Sequence, residues 1–287
     1  MTGSLYVVAT PIGNVDDFTE RAVATLQAVD LIAAEDTRHS QPLLARFNIT
    51  TPVRSYHDFS SESVLDDLLR RLQEGQSLAL ISDAGTPLIS DPGFRLVKSL
   101  RQQGVPIIPI PGASALTAAL SVAGLATDRF CFEGFLPAKA GQRMARLAEL
   151  SVETRTMVFY EGPHRITATL ADLATVFGAG RQVFLGRELT KKFESHYFGD
   201  LAGGCTWLAQ EANNRKGEFV LVVAGCDAET LADQQFQRAR SLVARLRPAF
   251  AMKEAVALAS EVTGARKNAL YQAVLEEDQG DQSDDGQ

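Results

Sequence analysis

The first half of the chain alternates short apolar runs with longer amphipathic ones. The apolar runs are LYVVAT from Leu5, LIAAED from Leu31, PVRSYH from Pro52, SLALISD from Ser77 and PIIPIP from Pro106. Between them lie FTERAVATLQAV, RHSQPLLARF, SESVLDDLLRRLQEG and FRLVKSLRQQG. In the third of these, Val64, Leu65, Leu68, Leu69 and Leu72 share one face at helical spacing, and the serines before them offer hydroxyl caps. Strands rich in Val, Ile and Leu that alternate with helices predict a parallel sheet covered on both faces.

The pattern changes near Ala123–Arg129. RFCFEGFLP, TMVFYEG, QVFLGREL, ESHYFGD and EFVLVVAG read as strands, with helices over Gln142–Leu150, Ile166–Val176 and near Trp207–Asn213. They predict a second α/β domain with a mixed sheet. After Gly225 the pattern is helical, and AMKEAVALASEVTGARKNALYQAVL reads as two short helices joined at Thr263-Gly264. The expected divisions are therefore 1–124, an N-terminal α/β domain; 125–228, a second α/β domain; 229–275, a basic helix-turn-helix-like element; and 276–287, an acidic disordered tail.

Val105 to Thr127 holds no charged residue and is long enough to span a bilayer, but Pro106, Pro109, Pro111 and Gly112 make it a strand, a turn and a buried helix instead. No membrane partner is expected. The N-terminus has no basic stretch ahead of its apolar residues, which argues against a secretory signal. Cys131, Cys205 and Cys226 are widely spaced, without a CxxC pair; this fits a reducing, cytoplasmic setting and gives no metal site.

Net charge is −7, which alone argues against a nucleic-acid partner. Its distribution reverses that reading. Six acids and no base stand between Glu276 and Asp285, whereas Phe236–Leu275 carries Arg238, Arg240, Arg245, Arg247, Lys253, Arg266 and Lys267 against Glu254 and Glu261.

In an open α/β sheet, ligands bind beyond the carboxyl ends of the strands. Those ends read TPIGN, EDTRH, His57-Asp58, SDAGTPLISDPG and PGAS. Neither GxGxxG nor GxxxxGK[ST] is among them, which argues against a nicotinamide oxidoreductase. Asp83, a carboxylate at a buried strand end, is a site candidate because it needs a partner. Asp91-Pro92 reads as a helix cap with proline in the first turn, and the cap is preferred there over a ligand role.

VATPIGN, AEDTR, SDAGTPLISDPG, PGASA, EGFLP, YEGPHR, RELTKKFE and KGEFVLVVAG, in that order from about Leu5 to Gly225, resemble the tetrapyrrole methylase superfamily. The closer resemblance is to its ribosomal branch, the ribosomal RNA small subunit methyltransferase I family. It implies two α/β domains, S-adenosylmethionine as methyl donor, no metal, a homodimer, and 2′-O-methylation of a cytidine in the decoding region of small-subunit ribosomal RNA. It places the donor among Pro11, Ile12, Asp83, Ala84, Gly85, Thr86, Ser114, Ala115, Tyr160, Gly217 and Glu218. Asp83 suits a cationic donor. Ser114 is either a donor contact or a plain cap, and Tyr160 either a site or a core residue.

A ribose hydroxyl is a poor nucleophile, so a base or a nearby cation would assist it. Lys191, Glu194 and Asp36 are the candidates for catalysis, with Asp36 equally readable as a helix cap. Arg38, His39, Arg187 and Lys192, with Lys253, Arg266 and Lys267 of the basic element, are the candidates for RNA contact. Two other readings remain: a methyltransferase acting on carbon of a tetrapyrrole, and a ribosome-binding module without activity.

Overall fold

The computed structural model describes the backbone of residues 3–57 and 60–284, and the side chains of that stretch as far as Glu277. Asp58 and Asp285, both singled out by the sequence, lie outside the described residues. The chain forms two compact units. One comprises Met1–Leu147 with Thr156–Ala224, the other Ala148–Arg155 with Gly225–Gln287.

The first unit contains both sheets. Five parallel strands, β1 (Leu5–Val8), β2 (Leu31–Ala34), β3 (Val53–Ser55), β4 (Leu78–Ile81) and β5 (Ile107–Ile110), lie in the order β3-β2-β4-β1-β5. Between them run α1 (Glu20–Ala28), α2 (Thr37–Arg46), α3 (Glu62–Gln73) and α4 (Phe94–Gln102). β2 and β4 are buried along their whole length, as a sheet covered on both faces requires. On one side Leu26 and Leu44 of α1 and α2 meet Ile32 and Ile81. On the other, Leu68, Leu72, Leu96 and Leu100 of α3 and α4 meet Leu78 and Leu80.

After β5, helix α5 (Ala115–Val122) packs Ala119 and Ala123 against Val158, Phe184 and Val222 of the second sheet. That sheet holds β6 (Phe130–Phe135), β7 (Thr156–Glu161), β8 (Gln182–Arg187), β9 (Ser195–Asp200) and β10 (Phe219–Val223), in the order β6-β7-β10-β8-β9. β6 runs parallel to β7; the other pairs are antiparallel, so the sheet is mixed. Helices α6 (Ala140–Leu150), α7 (Ile166–Phe177) and α8 (Leu201–Gln210) accompany it. α8 starts well before the expected Trp207. Asp200 caps it by accepting from the Gly203 amide at 2.7 Å, and Gly203-Gly204, poor helix formers, hide this start in the sequence.

The second unit is built on α9 (Ala228–Leu246), α10 (Met252–Thr263) and α11 (Lys267–Asp284). Ala239, Val243, Val256, Ala259, Leu270 and Val274 form its core. α10 ends where the sequence predicts, at Gly264, with φ +76°. α11 continues past Glu276 to Asp284, into the stretch read from the sequence as an acidic tail.

A left-handed residue costs a side chain about 1–2 kcal/mol. Gly264→Ala should therefore lower the stability of the helical unit by about that amount, read from urea denaturation followed by far-UV circular dichroism.

Candidate active site

The floor of the site follows from the strand order. β4 lies beside β1, and the chain leaves these two strands in opposite directions, which opens a crevice beyond their carboxyl ends. There the Thr10 amide donates to the Gly85 carbonyl at 2.9 Å, and the Gly85 amide donates to the Thr10 carbonyl at 3.0 Å. The Thr86 hydroxyl donates to the Ala113 carbonyl at 3.1 Å, so the loop before α5 joins the same frame.

A cavity of about 320 Å³ stands on this floor. It gathers Ile12, Ala84, Gly85, Thr86, Ser114, Ala115, Tyr160, Glu218 and Lys191, all named from the sequence. Pro11, Asp83 and Gly217 do not reach its wall. The Asp83 carboxylate accepts from the Asp36 amide at 3.1 Å and so ties the loops after β2 and β4 together. Ser114 caps α5 without a side-chain hydrogen bond to the helix; it is linked instead to Tyr160. The Tyr160 hydroxyl accepts from the Leu116 amide at 3.1 Å. Burial raises the Tyr160 pKa, against a smaller lowering by that amide, so the phenol stays neutral.

Lys191 closes the far side. Its Nζ donates to Glu188 Oε1 and Glu218 Oε2, both at 2.9 Å. Burial alone would lower the Lys191 pKa, but the two carboxylates outweigh it and hold it above the usual lysine value. Lys191 is therefore a fixed ammonium, not a base. Its stem lies over Gly13, where a Cβ would stand 2.2 Å from Lys191 Cγ. The turn that delivers it is strained, with Glu188 at φ +51° and Thr190 at φ +65°.

Other expected site residues have structural work instead. Asp36 caps α2 and pairs with Arg38 Nη2 at 2.8 Å; the Arg38 guanidinium, with the Arg38 amide, holds its carboxyl at about 2, which makes it a weak base. Arg38 and His39 are exposed and outside the cavity wall. Arg187 is nearly buried and donates to the Lys216 and Phe193 carbonyls and the Ser195 hydroxyl, so it fastens loops and has no free face for a phosphate. Glu194 accepts from the Thr190 amide at 2.5 Å and pairs with His196 at 2.8 Å. Lys192 is exposed and stands over the Phe193 ring. Lys253, Arg266 and Lys267 are exposed on the helical unit. Glu161 and Arg165 pair at 3.2 Å.

Asp91 overturns its expected role. The cap of α4 is Gly93, at φ +131°, and Asp91 lines the cavity with Ser90. Burial is the main cause that raises its pKa to about 6; the Ser82 hydroxyl opposes this, and Glu35 and Asp83 add to it. Phe135, which the sequence reading also passed over, lines the same cavity although its side chain is largely exposed.

Among the described residues no cluster of His, Cys, Asp or Glu stands ready to hold a metal. No described helix is long and apolar enough to cross a membrane.

The Tetrapyrrole (Corrin/Porphyrin) Methylases family matches residues 4–203, and the RsmI C-terminal HTH domain matches residues 235–278. Ribosomal RNA small subunit methyltransferase I of Pasteurella multocida is 48% identical over 96% of this chain and 98% of its own. The protein of that name from Escherichia coli O157:H7 is 48% identical over 96% of each. Among solved structures, uroporphyrin-III-C-methyltransferase from Thermus thermophilus superposes with TM-score 0.55 at 18% identity, covering 77% of this chain and 94% of that one. A second structure of uroporphyrin-III C-methyl transferase from that organism, complexed with S-adenosyl homocysteine, gives TM-score 0.53 at 20% identity, covering 77% and 97%.

The raised Asp91 pKa fixes a sign for stability. The folded state binds this proton more tightly than the unfolded chain, so stability falls as pH rises from 3.8 to about 6 and stays lower above it. Asp91→Asn should therefore raise the melting temperature at pH 8, a gain of about 1–3 kcal/mol, and change it little at pH 3.5. Thermal melts at the two pH values check this.

Proposed function

This chain belongs to the ribosomal RNA small subunit methyltransferase I family of tetrapyrrole methylases, and from that membership we propose that it methylates small-subunit ribosomal RNA with S-adenosylmethionine as donor. The finer reading is transfer to the 2′-hydroxyl of a cytidine in the decoding region. The observation that carries the proposal is near-full-length identity to relatives of that name, joined to a matching C-terminal helix-turn-helix element. The basic residues of that element suit RNA phosphates, and a tetrapyrrole substrate gives them no evident task.

The cavity fits such a donor. Gly85 and Ile12 line the floor together, and a Cβ at Gly85 would crowd Ile12 Cγ2 at 3.3 Å. The amino end of α5, at Ser114 and Ala115, suits the methionyl carboxylate. The donor supplies an electrophilic methyl on a sulfonium. The protein's task is then mainly to position the hydroxyl in line and keep water out. Lys191, fixed as a cation, holds the Glu188 and Glu218 carboxylates in place and so shapes the far wall of the cavity. No metal takes part in this reading, and a homodimer is its expected state, which light scattering of the purified protein checks.

Incubation of labelled donor with small ribosomal particles that lack the modification should label the RNA. After alkaline digestion the label should sit in a resistant dinucleotide, because a 2′-O-methyl blocks strand cleavage. Label in mononucleotides would mean base methylation, and transfer to a tetrapyrrole with none to RNA would sink the proposal.

Lys191→Met should leave Glu188 and Glu218 without their cation. We expect at least a tenfold loss of kcat/KM on the particles, about 1.4 kcal/mol or more, measured by initial rates with labelled donor.

A further inference from the structure

The cavity has a wall that the donor reading leaves unused. It is made by the end of the β4–α4 loop and by the end of β6. The loop is strained, with Leu88 at φ +73° and Ser90 at φ +66°, both conformations that L side chains rarely adopt. Opposite it, β6 carries a bulge between Phe132 and Gly134. Gly134 is at φ +64°, and a Cβ there would stand 3.2 Å from Ser90 Oγ. The bulge thus fits against the strained loop, and it redirects the residue that follows.

That residue is Phe135. It is 57% exposed, yet it lines the cavity edge-on to Tyr160, with ring centroids 5.8 Å apart. An aromatic ring at the mouth of a cavity offers a flat face on which a base can stack. On the same wall stands Asp91. The cavity has four carboxyls. Glu161 is paired with Arg165, and Glu188 and Glu218 with Lys191. Asp91 alone of the four has no cation among the described residues; the nearby Ser82 hydroxyl, which donates to the Ala84 carbonyl at 3.3 Å, only partly offsets its burial. Glu35 and Asp83 face it from the loops after β2 and β4, and Tyr160 from β7.

We propose that Ser90, Asp91 and Phe135 form the acceptor-nucleoside subsite, in which Phe135 stacks on the base and Asp91 takes the proton of the ribose hydroxyl. This rests on the reading of the chain as an RNA ribose methyltransferase. The step balances. The Asp91 carboxylate gains the proton of O2′ as O2′ bonds to the methyl carbon. The carbon–sulfur bond breaks, its electron pair stays on sulfur, and the neutral thioether leaves. Asp91 then returns the proton to water. A carboxyl that titrates near 6 is suited to this at neutral pH, since it is ionised and still basic enough to accept.

The test compares wild type, Asp91→Asn, Phe135→Ala and Phe135→Trp in the full-length chain, with unmodified small ribosomal particles and S-adenosylmethionine as probes. Calorimetry gives donor affinity, and initial rates give kcat and KM. Asp91→Asn should lose about 100-fold or more in kcat, with donor affinity within threefold. It should also flatten the acid limb of the wild-type pH profile, which should rise through about pH 6. Phe135→Ala should raise KM for the particles by about 5- to 100-fold, and Phe135→Trp should restore it. An active wild type with unchanged kcat in Asp91→Asn overturns the subsite, as does a loss of donor affinity that matches the loss of rate. A wild type that binds the donor but transfers nothing to RNA overturns the reading of function itself, and the subsite with it.

Discussion

Two backbone hydrogen bonds between Thr10 and Gly85 are what the cleft depends on. They join the loops after β1 and β4, which are neighbours only because the strand order puts β4 beside β1. The pairing demands φ +82° at Gly85, which glycine adopts without strain. Everything else on the floor is registered from this pair. Thr86 reaches the Ala113 carbonyl, and so sets where α5 begins. α5 in turn packs on the second sheet through Ala119 and Ala123, so one helix carries the frame of the first sheet into the core of the second.

The opposite wall is held by charge rather than by main chain. Glu188, Lys191 and Glu218 come from the turn after β8 and the residue before β10, and one ammonium satisfies both carboxylates. The positive φ values at Glu188 and Thr190 are sustained by those contacts, by the Glu194 carboxylate on the Thr190 amide, and by Arg187 beneath. Strain of this kind, about 1–3 kcal/mol per residue, persists only where surrounding contacts fix the turn. It is why RELTKKFE, which reads as a loose charged run, is an ordered wall in which nearly every charge has a partner.

The strands were legible because parallel sheets bury both faces, and LIAA or LALI has no other reading at that length. Position after a strand marked the turn segments that hold Gly85, Thr86 and Ser114, but it was the family resemblance, not the spacing, that assigned them to a donor pocket. The misreadings share one cause, that local sequence does not say which way a loop turns. Asp91-Pro92 has the composition of a helix start, but the strained turn at Ser90 carries Asp91 into the cavity and leaves the cap to Gly93. Phe135 lies in an apolar strand, and only the bulge at Gly134 aims it at the site. Arg187 looked like a phosphate ligand because a sequence shows charge without burial.

Asp91 also illustrates how a site of this kind is set. Burial with Glu35 and Asp83 nearby opposes ionisation, so the free protein holds this carboxyl close to its titration point. Glu188 sits below its usual value: burial would raise it, yet the Glu218 amide and Lys191 win. The two carboxyls therefore differ in burial and in partners, the less buried one committed to a lysine and the more buried one left among acids. The acceptor in the proposed complex would meet a carboxyl that burial keeps more basic than an exposed aspartate.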